Sequence, residues 1–218
     1  MSVHTGASLS SDVRRFLARP EMNWLAHLLL SEPTPAFRLG GILPDLVSAP
    51  VLAGMPSEFQ RGIQRHHQID AYTDSHAIFR RSVRRFSPPF RRFGGIITDV
   101  FYDHFLARDW QSYSDTPLPE FVAAFYASFE PLRADIPPEA YARLQQMQQG
   151  DWLCSYHEVS GVARALQGIS SRLRRPFDLV PSISVLEHDY DSLRTDFNAF
   201  FPELIAHVMP PSNATRNA

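Results

Sequence analysis

"GGIITDVFYDHFLARDW", residues 94 to 110, decides the fold. At about 100° per residue, Asp99, Asp103 and Leu106 share one arc with Ile96. Ile97, Val100, Phe101 and Phe105 occupy the other sides. A helix that is apolar all round is normally buried, so the rest of the chain must wrap around this one. Inside such a helix Asp99, Asp103 and His104 need compensation, because a buried carboxylate costs several kcal/mol unless it is paired or bound to a metal. Two readings fit: an arginine from a neighbouring helix, or a metal ion.

Outward from this segment the periodicity stays helical, and strand-like alternation is hard to find. Helices are expected over about 23–31, with Asn23 as a possible cap, from near Pro56 onward, over about 76–86, 91–110 and 119–130, and from Pro137 to Gly150. A last long helix over 183–208 places Leu186, Tyr190, Leu193, Phe197, Phe200 and Leu204 on one stripe. Connections are short, and no repeat or linker divides the chain. The expectation is a single all-α domain over residues 22–208.

The totals agree with that reading. A chain of 218 residues can bury a substantial core. Net charge is −2, so bulk charge calls for neither a nucleic-acid nor a membrane partner. All 21 basic residues are arginine, whose planar forks suit phosphate and carboxylate. A lone cysteine, Cys154, rules out an intramolecular disulfide and points to a reducing cytoplasm. No apolar run reaches the 18 or so residues of a membrane span. Residues 1–21 lack the apolar core of a secretory signal and read as an extension outside the domain. Residues 209–218 read as a flexible tail.

Chemistry concentrates in a few places. In the helix after Pro56, Phe59, Ile63, His66, Asp70 and Asp74 fall on one arc, while His67 lies about 100° away. The stripe turns from apolar to ionisable without changing face. His66 and Asp70, at i and i+4, can reach one ion from adjacent turns. A polar cluster satisfied by water and arginine fits equally. His27 in "NWLAHLLL" and Asp45 in "ILPDLV" are single ionisable groups among apolar neighbours, each compatible with an ordinary hydrogen-bonded core residue. Together these segments deliver mixed N/O donors from several helices, a set that suits Mn or Mg better than a thiolate zinc site. Arg80, Arg81, Arg84, Arg85, Arg91 and Arg92 form a local positive surface, with "SRLRRP" at 171–176 as a second one. A solvated helix face and an anion-steering patch are both open. Cys154 with His157 three residues on is a weak sign of a nucleophile, and no phosphate loop or dinucleotide motif occurs.

"MNWLAHL" from Met22, "LPDLV" around Asp45, "GIQRHHQIDAYTD" from Gly62, "ITDVFYDHFLARDW" from Ile97 and "LEHDYDSLRTDFNAFFPELIAHV" near the end resemble, in this order, the acyl-carrier-protein phosphodiesterases. The resemblance spans about residues 22–208. It implies a helical fold related to the HD phosphohydrolases, although here "HHQID" and Asp103-His104 stand where a contiguous His-Asp doublet would be sought. It also implies hydrolysis of holo-acyl-carrier protein to the apo form, with release of 4'-phosphopantetheine and help from a divalent metal, usually Mn. By motif position the ligand candidates are His27, Asp45, His66, Asp70 and Asp103. Asp99 and His104 are the catalytic candidates, with His104 a possible proton donor to the leaving serine. Asp74, Arg81, Arg84, Arg85, Arg91 and Arg92 are candidates for holding phosphate or the carrier protein. Two alternatives stand beside this: a metal-dependent hydrolase of a nucleotide or small phosphate ester, and a non-catalytic carrier-protein-binding module.

Overall fold

The computed structural model describes residues 23–209; the expected N-terminal extension, and the expected tail from 210 onward, lie outside them. Twelve α-helices follow one another, joined by short 3-10 turns, and no strand occurs among the described residues. Among them, too, no helix is long and apolar enough to cross a membrane.

The segment that opened the sequence reading forms α6 (Gly94–Arg108), and it is central. Phe101, Phe105, Val100 and Ile97 are fully buried, each contributing on the order of 1.5–3 kcal/mol by leaving water. Helices α1 (Trp24–Leu29), α5 (Ala77–Val83), α10 (Val159–Ser170) and α12 (Tyr190–Val208) pack around it. Between these lie α2 (Pro35–Gly40), α3 (Ala49–Ala53), α4 (Ser57–Ser75), α7 (Leu118–Ser128), α8 (Pro138–Gln149), α9 (Trp152–Ser155) and α11 (Ile183–His188).

Most expected helices are present, with three corrections. Asn23 stands at the start of α1, but its side chain makes no capping bond. The expected helix 183–208 is two helices, broken at Asp189, whose carboxylate faces His188 at 2.9 Å and Arg85 at 3.8 Å. Aspartate favours such junctions because its side chain competes with helical hydrogen bonding. Helix α10 was not expected, since Gly161 and Gly168 weaken its helical signal. In the fold Gly161 serves close packing: a Cβ there would lie 1.8 Å from the Ser155 carbonyl oxygen.

The crossing that matters most for function joins α2 to α4. A Cβ on Gly62 would stand 2.1 Å from the Phe37 carbonyl oxygen, and one on Gly40 2.2 Å from that of Phe59. Two glycines therefore allow backbone-to-backbone contact. The result is that the Gly41 carbonyl reaches His66 Nδ1 at 2.8 Å.

Candidate metal centre

His66 lies on the buried arc of α4, between Ile63 and Asp70, while His67 is exposed and meets the His66 ring only edge-on. The Gly41 carbonyl accepts a hydrogen bond from Nδ1, which fixes the tautomer and aims Nε2 at the carboxylates. Nε2 lies 3.0 Å from Asp70 Oδ2, one turn along, and 3.9 Å from Asp45 Oδ1. Asp45 ends a 3-10 turn (Leu43–Asp45), and Trp24 Nε1 donates to its other oxygen at 2.7 Å.

His27 arrives from α1. Its ring stacks on that of His66, with centroids 4.2 Å apart. Nε2 lies 3.3 Å from Asp70 Oδ1, but without hydrogen-bond geometry, and neither ring nitrogen of this fully buried side chain has a hydrogen-bond partner. A buried imidazole whose one polar contact, to Asp70, falls outside hydrogen-bond geometry is costly, and a bound ion would offset that cost. Donor atoms of His27, His66 and Asp70 all lie within 4.8 Å of one another, and the three could hold a metal ion.

The electrostatics fit that use. Burial first, and then the neighbouring His66 charge, lower the His27 pKa to about 4; it is neutral at pH 7, the form that binds metal. Burial also pulls His66 down, but the carboxylates of Asp45 and Asp70 and the Gly41 carbonyl outweigh it and raise the value to about 9. Burial pushes the Asp70 carboxyl upward, and the two histidines override it, so the carboxyl ends far below its usual range. Without an ion, the positive charge on His66 satisfies Asp70. A divalent cation can take over that role, and two imidazoles with a carboxylate are a suitable donor set.

The remaining predicted residues are placed elsewhere. Asp103 is not gathered with these three. It is fully buried, and its oxygens accept from the Leu25 and Ala26 amides at 2.9 and 3.1 Å. Those are free N–H groups of the first turn of α1, so Asp103 caps from α6 the helix that carries His27. Burial pushes its carboxyl up to about 8 against the pull of the two amides. His104, on the same helix, bonds the Tyr156 carbonyl oxygen through Nδ1 at 2.8 Å and the Tyr190 hydroxyl through Nε2 at 3.0 Å. With both nitrogens engaged, it ties α9 and α12 to α6. Asp99 is half-buried on α6 and also outside the cluster. Asp74, one turn beyond Asp70, is exposed, and its carbonyl oxygen accepts from Arg80 Nε at 2.8 Å.

Nor does the arginine run act as a unit. Arg81 and Arg85 both pair with buried Asp196, at 2.5 and 3.3 Å, and Ser82 Oγ donates to the same carboxylate at 2.8 Å. These arginines fasten α5 to α12, whereas Arg84, Arg91 and Arg92 are exposed. Cys154 is half-buried, and burial with a nearby Asp151 pushes its thiol up to about 12, the reverse of what a nucleophile requires.

Sequence alone gave no sign of Trp24, the partner that orients Asp45. Its indole stacks on Trp152 of α9 at 6.2 Å, a contact between segments far apart in the chain.

Comparison with known proteins identifies the family. Residues 22–204 match the family model for acyl carrier protein phosphodiesterase. A protein of that name from Klebsiella pneumoniae is 35% identical over 185 residues, which cover 84% of this chain and 96% of the relative. Relatives of the same name from an Enterobacter species and from Escherichia coli are each 33% identical over 188 residues, covering 86% of this chain and 97% of theirs. No solved structure matches. The family match covers α1 through most of α12 and so includes every element that builds the His27–His66–Asp70 cluster: this chain belongs to the acyl carrier protein phosphodiesterase family.

Proposed function

We propose that the chain hydrolyses the phosphodiester between 4'-phosphopantetheine and the serine of holo-acyl carrier protein. Water adds its oxygen to phosphorus, the bond from phosphorus to the serine oxygen breaks, and a proton goes to the departing alkoxide. The products are apo-carrier protein and 4'-phosphopantetheine. The observation that carries this reading is the buried His27–His66–Asp70 cluster in a chain of this family.

His27, His66 and Asp70 would hold a divalent ion, with Asp45 beside His66 as a further carboxylate. Two imidazoles with carboxylates suit a first-row divalent ion better than Mg, which prefers oxygen ligands, and Mn is our first choice. When bound, such an ion supplies Lewis-acid stabilisation of charge on phosphoryl oxygens and acidifies water. The chain's own contribution is orientation. Gly41 fixes the His66 ring, Trp24 fixes Asp45, and Asp103 fixes the start of α1. The exposed Arg84, Arg91 and Arg92 are the part of the arginine run available to the carrier protein. The lone half-buried cysteine supports a cytoplasmic setting.

The test is incubation of the purified chain with holo-carrier protein and Mn, followed by mobility shift and mass measurement. Loss of the phosphopantetheine mass is expected, and loss of activity on chelation. A metal-loaded chain that leaves the carrier protein intact would refute the proposal.

A further inference from the structure

The two arginine-rich stretches of the sequence meet in the fold. Phe177, just after the second stretch, packs against the first, with ring centroids 4.8 Å from Phe93 and 5.9 Å from Phe90. The Arg92 guanidinium lies over both Phe93, at 4.6 Å, and Phe177, at 4.9 Å. This clamp joins the segment that carries Arg174 and Arg175 to the segment that carries Arg91 and Arg92. All four are exposed. Unlike Arg81 and Arg85, none of the four forms an ion pair among the described residues.

We propose that this four-arginine face is the docking surface for carboxylates on the carrier-protein substrate. The proposal rests on the function proposed above and adds where the protein part of the substrate is held. A guanidinium offers a rigid fork that pairs with carboxylates in bidentate fashion. Stacking on aromatic rings restrains the Arg92 fork before any partner arrives, so less side-chain freedom is lost on docking.

Position supports the same use. Arg92 lies two residues before α6 begins, and Asp103 is eleven residues further on, against the backbone next to His27. At about 1.5 Å per residue the separation along the helix is about 16 Å. A standard interface covers about 800 Å² per partner, or about 30 Å across, so a carrier protein with its serine at the cluster can also reach the arginines. Single-stranded nucleic acid is the poorer fit, because its binding uses open aromatic platforms. Here the Phe90, Phe93 and Phe177 rings pack on one another and under Arg92.

The test compares the unaltered chain with the double variant Arg174→Glu/Arg175→Glu, in steady-state kinetics on two substrates. For holo-carrier protein at low salt we expect KM to rise about tenfold with kcat unchanged, and the difference to shrink as salt is added. For bis(4-nitrophenyl) phosphate, which has no protein part, kcat/KM should stay the same. An unmoved carrier-protein KM overturns the docking surface, as does a parallel loss on both substrates. So does a face that holds an RNA oligomer while the carrier-protein KM stays put. No turnover of carrier protein by the unaltered chain refutes the function itself, and the docking proposal with it.

Discussion

Replacing Asp103 with asparagine separates a metal ligand from a helix cap. The substitution keeps shape and volume. It exchanges one of the two oxygens that accept from the Leu25 and Ala26 amides, at 2.9 and 3.1 Å, for an amino group. A donor then faces a donor at a fully buried position, whatever the ionisation of the original carboxyl. Leaving one buried amide unsatisfied costs about 1–3 kcal/mol. For a chain of this size each kcal/mol moves Tm by about 2–4 °C, so a fall of about 2–12 °C is expected. Helix α1 has only six residues, and His27 is its fourth, so a loosened first turn reaches this proposed ligand directly. Partners that orient a ligand typically contribute 10–100-fold in metal affinity, and Mn affinity should drop by roughly that factor. The assays are thermal unfolding and isothermal titration with Mn. The cap reading requires both effects together, with binding stoichiometry retained. Binding abolished with Tm unchanged would make Asp103 a ligand and refute the reasoning; no change in either would remove it from both roles.

Asp70→Asn should abolish Mn binding while the far-ultraviolet circular dichroism stays native, since Asp70 is the group that contacts both histidines; retained metal content after dialysis would show the cluster to be misread. Gly62→Ala puts a Cβ 2.1 Å from the Phe37 carbonyl oxygen and should cost about 1–3 kcal/mol by overpacking. It should also weaken Mn binding, because α2 carries the Gly41 carbonyl to His66; an unchanged Tm would contradict the close crossing. Asp196→Ala should destabilise by about 2–3 kcal/mol at neutral pH, below the 3–5 typical of breaking a buried pair, because Arg81 is about half exposed. Burial raises the Asp196 carboxyl, but Arg81, Ser82 and Arg85 together hold it below its ordinary value. A depressed carboxyl stabilises above its unfolded value, near pH 4, and loses that contribution as pH falls through its folded value. The gap in stability between variant and unaltered chain should therefore close in acid, and a gap independent of pH would show that the loss is only one of packing.

What the sequence showed, and what it hid, divides along the range of the interactions. Phase around one helix is local, so the buried role of α6 and the split between His66 and His67 could be read from spacing alone. The stripe on the last two helices was legible for the same reason. Partner identity is not local. A carboxylate in an apolar helix demands compensation, and sequence cannot say from where. For Asp103 the answer is the first-turn N–H groups of α1, which have no partner within that helix, and for Asp196, on α12, it is Arg81 and Arg85. Both solutions use ordinary stabilising chemistry: Asp103 accepts from the start of α1, and Arg81 and Arg85 fasten α5 to α12.

His27 shows the converse. A single histidine in an apolar helix is most simply a core residue satisfied by a hydrogen bond, and nothing within "NWLAHLLL" argues otherwise. Only the packed structure shows that both ring nitrogens lack hydrogen bonds at full burial, with the ring stacked on a second histidine and one nitrogen 3.3 Å from a carboxylate oxygen. A purely structural histidine would have been given a partner or replaced by an aliphatic side chain of similar size, since an unsatisfied buried imidazole only costs stability. A metal ion would supply the missing partner, and on that ground we propose His27 rather than Asp103 as the ligand contributed by the packing of α1 against α6.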